Sequence, residues 1–135
     1  HIKKSKELGL SSQEYVLTGG SVLDIHNLRA SNDVDVVVSK AAFLKLKKRG
    51  WTVDPIFKKK YGRSRLIHDV FEVYTDMYYR GQNYHVPFEA VKDQAQKIRG
   101  VFVQSLGSLL LAKKDVNRKK DKADCLLIEK KLGIR

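Results

Sequence analysis

The sequence predicts a mixed α+β fold, a small mixed β-sheet flanked by helices, and three observations carry that prediction. Short β-branched runs alternate with helical patterns, as in Val34-Asp35-Val36-Val37-Val38 followed by Ala42, Phe43, Leu44 and Leu46 among lysines. Strand-like segments crowd together between Trp51 and Thr75, which points to hairpins rather than a purely doubly wound sheet. Cap residues punctuate the helices, with Ser39 and Ser105 before and Gly50 and Gly133 after. No repeat or Pro/Gly-rich linker divides the 135 residues, so one domain is expected, with a helical C-terminal part from about 105 to 133.

In chain order, the opening to about Glu14 is polar and helix-compatible. Tyr15-Val16-Leu17 reads as a strand stopped by Gly19-Gly20, after which Ser21 is expected to cap a short helix carrying Val22, Leu23 and Ile25. Asp33 to Val38 reads as a central strand buried on both faces. A helix follows from Ser39 to Gly50, then a short strand at Trp51-Thr52-Val53 and a basic stretch, Lys58 to Ile67, turning at Gly62. Val70 to Thr75 is β-rich, and Pro87 opens a helical pattern from Phe88 to Ile98, closed by Gly100. Val101-Phe102-Val103 reads as a strand, Ser105 caps a Leu-rich helix to about Lys114, and a last helix runs from Arg118 to Leu132.

Composition narrows the function. Lys and Arg number 27 against 15 Asp and Glu, a formal charge of +12 that favours polyanionic partners such as RNA or nucleotide phosphates. Hydrophobic residues make up 42%, a globular proportion, and no apolar run approaches the roughly 20 residues of a bilayer span, so no membrane partner is expected. A single cysteine, Cys125, excludes an internal disulfide and a Cys-rich metal site, and a reducing cytoplasm is the expected compartment.

The chemistry-bearing constellation is Gly19-Gly20-Ser21 followed, eleven residues on, by Asp33-x-Asp35. Two carboxylates two apart on a strand point to one side and repel unless a cation lies between them, which suits Mg²⁺ or Mn²⁺. The glycine turn before a helix start offers backbone N–H groups and a hydroxyl to a phosphate. Each half alone is also an ordinary turn or strand start. Together they place a phosphate cradle and a metal pair at the same end of adjacent strands.

These residues, Leu17-Thr18-Gly19-Gly20-Ser21 and Asn32-Asp33-Val34-Asp35-Val36-Val37-Val38, resemble the signature of the nucleotidyltransferase (DNA polymerase β-like) superfamily, above all its minimal stand-alone members and the AbiEii-type toxins. The resemblance implies Mg²⁺-dependent transfer of a nucleoside monophosphate from an NTP to an acceptor hydroxyl, with tRNA or another RNA as acceptor. It also implies a third carboxylate on a neighbouring strand. Glu72 is the expected third ligand and catalytic partner of Asp33 and Asp35, because Asp69 and Asp76 lie at the ends of the run and read as turn residues. Lys113 is expected either to touch phosphate or to be a solvated lysine favourable at a helix C-terminus. Asp121 and Asp124 share a helix face, and Asp121 at the helix start reads either as a dipole complement or as a residue that orders the nucleotide pocket, the former being the plainer explanation.

Basic residues cluster at Lys45 to Arg49, Lys58 to Arg65 and Lys113 to Lys122, with Tyr61, Tyr78 and Tyr79 near the middle cluster in sequence. His26, His68 and His85 show no ligand spacing and are expected to be structural, and Cys125 to be buried. With little room for a substrate domain, the acceptor must meet the basic face or a partner protein, a second copy of the chain included. The rival reading is a binding module that keeps the fold without the chemistry, and the position of Glu72 relative to Asp33 and Asp35 discriminates the two.

Overall fold

The computed structural model describes residues 1–134, with the backbone alone at position 80. A seven-stranded mixed sheet organises the chain, in the order β3-β4-β5-β2-β1-β9-β8. Its centre is β1 (Tyr15–Thr18) antiparallel to β2 (Val34–Val38), with β5 (Phe71–Tyr74) parallel to β2 and β9 (Val101–Val103) parallel to β1. Outside β5 lie β4 (Leu66–His68) and β3 (Thr52–Val53), both antiparallel, and outside β9 lies β8 (Gln96–Ile98). A separate antiparallel hairpin joins β6 (Asp76–Tyr79) to β7 (Tyr84–Pro87). The fold is thus mixed α+β, as the alternating patterns predict.

Alternation along the central strands divides the interior in two. On one face Leu17, Val34, Val36, Val38, Phe71, Val73, Val101 and Val103 form the main core. It is closed by α2 (Gly20–Ile25), α3 (Lys40–Lys48), α6 (Leu106–Val116) and α7 (Lys119–Leu132), which contribute Leu23, Leu46, Leu109 and Ile128 among others. The opposite face carries a smaller cluster in which Val16 and Val37 meet Phe88 and Val91 of α5 (Phe88–Asp93). Because that cluster covers only part of its face, the strand ends nearby remain open, and Asp35 and Glu72 belong to this less covered side. Among the described residues no helix is long and apolar enough to cross a membrane.

Several helix termini follow their side chains. Ser39 Oγ accepts from the Ala42 N–H at the start of α3, Ser105 Oγ accepts from Ser108 N–H at α6, and Gly133 closes α7 at φ 76°. Other segments depart from the sequence reading. The opening forms only a short α1 (Ile2–Ser5) and one 3₁₀ turn, ended by Gly9 at φ 62°. The basic stretch after Trp51 contains a helix, α4 (Pro55–Tyr61), whose first N–H groups are accepted by Asp54 and which has Pro55 in its first turn. The helical pattern after Pro87 stops at Asp93, since Gln96–Ile98 pairs with Val101–Val103 through a turn in which Arg99 and Gly100 both have positive φ, 50° and 80°. Gly100 therefore closes a hairpin rather than a helix.

Candidate active site

The first half of the site is built by the β1–α2–β2 unit. Gly19 leaves β1 with φ 63° and ψ −142°, a backbone conformation open essentially to glycine. A methyl group there would lie 2.5 Å from Asp35 Oδ2, so the missing side chain is the space that the carboxylate occupies. Gly20 N–H faces the Asp35 carboxylate, while Gly19 N–H donates to Oε1 of the buried Gln104 at 3.2 Å.

Ser21 departs from its expected role. Gly19, not Ser21, is the N-cap of α2, and Ser21 is fully buried inside the first turn. Its hydroxyl donates to the Asp33 carbonyl at 3.2 Å and accepts the Asp35 N–H at 3.1 Å, pinning the start of β2 against α2. The Gly-Gly-Ser turn directs these donors inward. It sets the position of Asp35, and a six-residue helix behind it supplies little dipole of its own.

The second half comes from the sheet register. Thr18 of β1 lies opposite Asp35, and Asp35 lies opposite Glu72 on the parallel neighbour β5. Asp35 and Glu72 are consequently side by side on one face. Burial pushes the Asp35 carboxyl up to about 7, and the hydrogen bond and charge of Glu72 together with the charge of Asp33 push the same way, while Gly20 N–H opposes them. Asp33 precedes β2 and is exposed, at the same end of the sheet. The three carboxylates do not form a closed ligand set, for among the described residues no three His, Cys, Asp or Glu side chains surround a point that could hold a metal ion. What the fold brings together is the Asp35–Glu72 pair, with Asp33 at the mouth.

Asp76, predicted to be a turn residue at the end of the β5 run, starts β6 after the chain bends at Thr75. It is held by Arg63 and by His85, whose Nδ1 lies 2.6 Å from its carboxylate. Asp69 does sit in a turn, at φ 52°.

A cleft of about 850 Å³ opens over these groups. Gly19, Gly20, Asp33, Asp35, Glu72 and Lys113 all line it, whereas Ser21 lies behind the wall. Lys113 is neither solvated nor turned outward. It is 8% exposed and paired with Asp121 at 3.2 Å and Asp124 at 2.9 Å. The same two aspartates bind Arg118 and Arg29, so an ion network centred on the buried Lys113, Asp121 and Asp124 ties α6 and α7 to the loop leading to Asp33. Although burial works against it, the bonds from Arg118 and Lys113 hold the Asp121 carboxyl down at about 2. Asp121 lies in the first turn of α7, as the dipole reading expects, and its carboxylate adds a capping and pairing role by accepting the Arg118 N–H.

The opposite wall comes from the middle basic cluster and its tyrosines, joined by Phe57 and Tyr74, which sequence reasoning did not connect with it. Arg63 lies over the rings of Phe57, Tyr74 and Tyr78, and Arg65 lies 4.5 Å from the centre of Phe57. Lys60 and Lys120 stand exposed at the rim. The middle and last basic clusters therefore reach the cleft, while Lys45 and Arg49 engage Glu14 and the Leu8 carbonyl elsewhere. His68 stacks on Trp51, and Cys125 is buried, with its thiol raised by that burial. Compared with protein-family models, curated proteins and solved structures, the chain matches none of them.

Proposed function

We propose that this chain is a divalent-metal-dependent nucleotidyltransferase domain that moves a nucleoside monophosphate from an NTP to an acceptor hydroxyl. The observation that carries the reading is the in-register contact of Asp35 and Glu72 on adjacent parallel strands, at the strand end where Gly19 makes room for Asp35. Two carboxylates so close need either a shared proton or a cation, and all-oxygen donors suit Mg²⁺ or Mn²⁺. Asp35 and Glu72 would hold the ion, with Asp33 as the further donor from the same strand end. When bound, the metal would supply electrostatic stabilisation to the phosphates.

The reaction forms a bond from the acceptor oxygen to the α-phosphorus and breaks the α–β bridge, with pyrophosphate as leaving group. The acceptor proton passes to a carboxylate of the cluster or to water. The cleft volume lies in the range of small-molecule sites. Its exposed rim lysines, Lys60 and Lys120, support an NTP and, beyond it, an RNA acceptor such as tRNA, while Arg63 and Arg118 stand beside them already paired with Asp76 and Asp121. Because Gly19 N–H is already accepted by Gln104 and Gly20 N–H faces Asp35, the phosphates fall to the exposed lysines of the rim. The same rim would serve a module that only holds RNA, and the carboxylate pair at its base favours catalysis over that rival.

The test is incubation with each α-labelled NTP, Mg²⁺ and total RNA, beside the Asp35→Asn and Glu72→Gln variants. Label transferred to RNA by the unsubstituted protein and lost in both variants is the expected result. No label with any NTP, together with RNA binding unchanged in the variants, would replace the enzyme reading with the binding module.

A further inference from the structure

Glu72 is reached from behind by a chain of side chains that the proposed reaction does not itself require. Asp54 is 7% exposed and accepts the Ile56 and Phe57 N–H groups through Oδ1, which starts α4. Its other oxygen binds Arg65, at 2.9 Å to Nε and 2.8 Å to Nη2. The third guanidinium nitrogen donates to the Tyr74 hydroxyl at 3.0 Å and faces Glu72 Oε2 at 3.5 Å. Tyr74 in turn aims its hydroxyl at the same Glu72 oxygen, also at 3.5 Å. Tyr74 and Glu72 are two apart on β5, so they share a face, and Phe57 packs edge-on against Tyr74.

A glutamate has three rotatable side-chain bonds, and a ligand that swings freely binds an ion poorly. The Tyr74 hydroxyl and the Arg65 charge, both 3.5 Å from one oxygen, restrict that freedom and leave the carboxylate beside Asp35. The cation is also neutralised where it stands. Asp54 cancels the Arg65 charge, so the guanidinium orients Glu72 without strongly repelling a metal.

On the reading of Asp35 and Glu72 as metal ligands, we infer that Asp54, Arg65 and Tyr74 form a positioning relay that fixes the Glu72 carboxylate and couples the start of α4 to the metal site. Arg65 and Tyr74 act through Glu72 and are positioning residues, not catalytic ones. Supporting hydrogen bonds of this kind are worth about 10- to 100-fold in metal affinity where they have been removed.

The experiment is Mn²⁺ binding by calorimetry to the full chain and to Tyr74→Phe, Asp54→Asn, Glu72→Gln and the Tyr74→Phe/Glu72→Gln double variant, with urea unfolding of each. Tyr74→Phe keeps the ring and removes only the hydroxyl, so it is expected to fold and to bind Mn²⁺ about tenfold more weakly. Asp54→Asn keeps a capping oxygen but strips the charge that balances Arg65, and it too should weaken binding. The double variant should be no weaker than Glu72→Gln alone, because Tyr74 acts only through that carboxylate. Unchanged Mn²⁺ affinity in Tyr74→Phe, or losses that add fully in the double variant, would overturn the relay while leaving the transferase reading standing. Failure of the unsubstituted protein to bind Mn²⁺ would overturn both.

Discussion

Gly19→Ala is the most searching single substitution, because the structure gives its cost in two separable parts. The backbone at φ 63°, ψ −142° lies outside the regions that alanine adopts freely, which is worth about 1–3 kcal/mol. The new methyl would then stand 2.5 Å from Asp35 Oδ2, a separation that no relaxed structure tolerates. Asp35 must move away from Gly20 N–H, an interaction worth about 0.5–1.5 kcal/mol. Together these give about 2–4 kcal/mol, a large share of the stability of a domain this size. Gly100→Ala is the control, since it also has positive φ, 80°, but nothing lies within 4 Å of the added carbon. It should lose only the backbone part, about 1–2 kcal/mol. Equilibrium urea unfolding separates the two, at about 1–2 M in midpoint for Gly19→Ala against less than 1 M for Gly100→Ala. If Gly19→Ala costs no more than Gly100→Ala, the claim that the turn exists to seat Asp35 is wrong.

Three further outcomes follow from the same geometry. Ser21→Ala should destabilise by about 1–3 kcal/mol, since it leaves the Asp35 N–H without its acceptor in a fully buried place; a change below about 0.5 kcal/mol in urea would refute the pinning role. Lys113→Met should cost about 3 kcal/mol by the same measurement, because Asp121 and Asp124 keep Arg118 and Arg29 but lose their shared buried cation. Acid should expose the same network. The Asp121 carboxyl sits at about 2 in the folded chain against an ordinary 3.8, so its contribution is present in full above pH 4 and is lost as pH falls toward 2. That amounts to about 2 kcal/mol. Unfolding free energies between pH 5 and 2 should fall more gently in Asp121→Asn than in the unsubstituted chain, and equal slopes would contradict the assignment.

The parts of this architecture legible in the sequence are those whose signals are local. Val34 to Val38 is β-branched at four of five positions and could hardly be anything but a buried strand. Ser39, Ser105 and Gly133 announce helix ends through chemistry confined to a few residues. What escaped is of two kinds. Helix α4 buries no residue fully, so it shows no apolar stripe, and only its Asp54-Pro55 start and Gly62 stop could have revealed it. Strand β8 was hidden inside a helical pattern because Gly100 is equally good at closing a helix and at a hairpin turn. The left-handed Arg99 beside it decides between them, and arginine gives no sign in sequence of adopting that conformation.

The candidate site divides along the same line. That Asp33 and Asp35 share a side follows from strand alternation, and Glu72 was reachable by the same rule applied to its own strand. Their meeting depends on β5 lying parallel to β2 with residue 72 opposite residue 35, a register set by packing across the whole sheet. The glycine turn shows how far register can alter a role. A Gly-Gly-Ser before a helix looks, residue by residue, like a set of free N–H donors. In the folded chain Gln104, brought beside Gly19 by the pairing of β9 with β1, accepts one of them, and Asp35, brought in by β2, faces the next. Backbone donors are used by whatever acceptor the tertiary structure brings to them first. The turn's glycines are therefore better explained by the carboxylate they make room for than by a bound phosphate, and the anion-binding burden shifts to lysines far away in sequence.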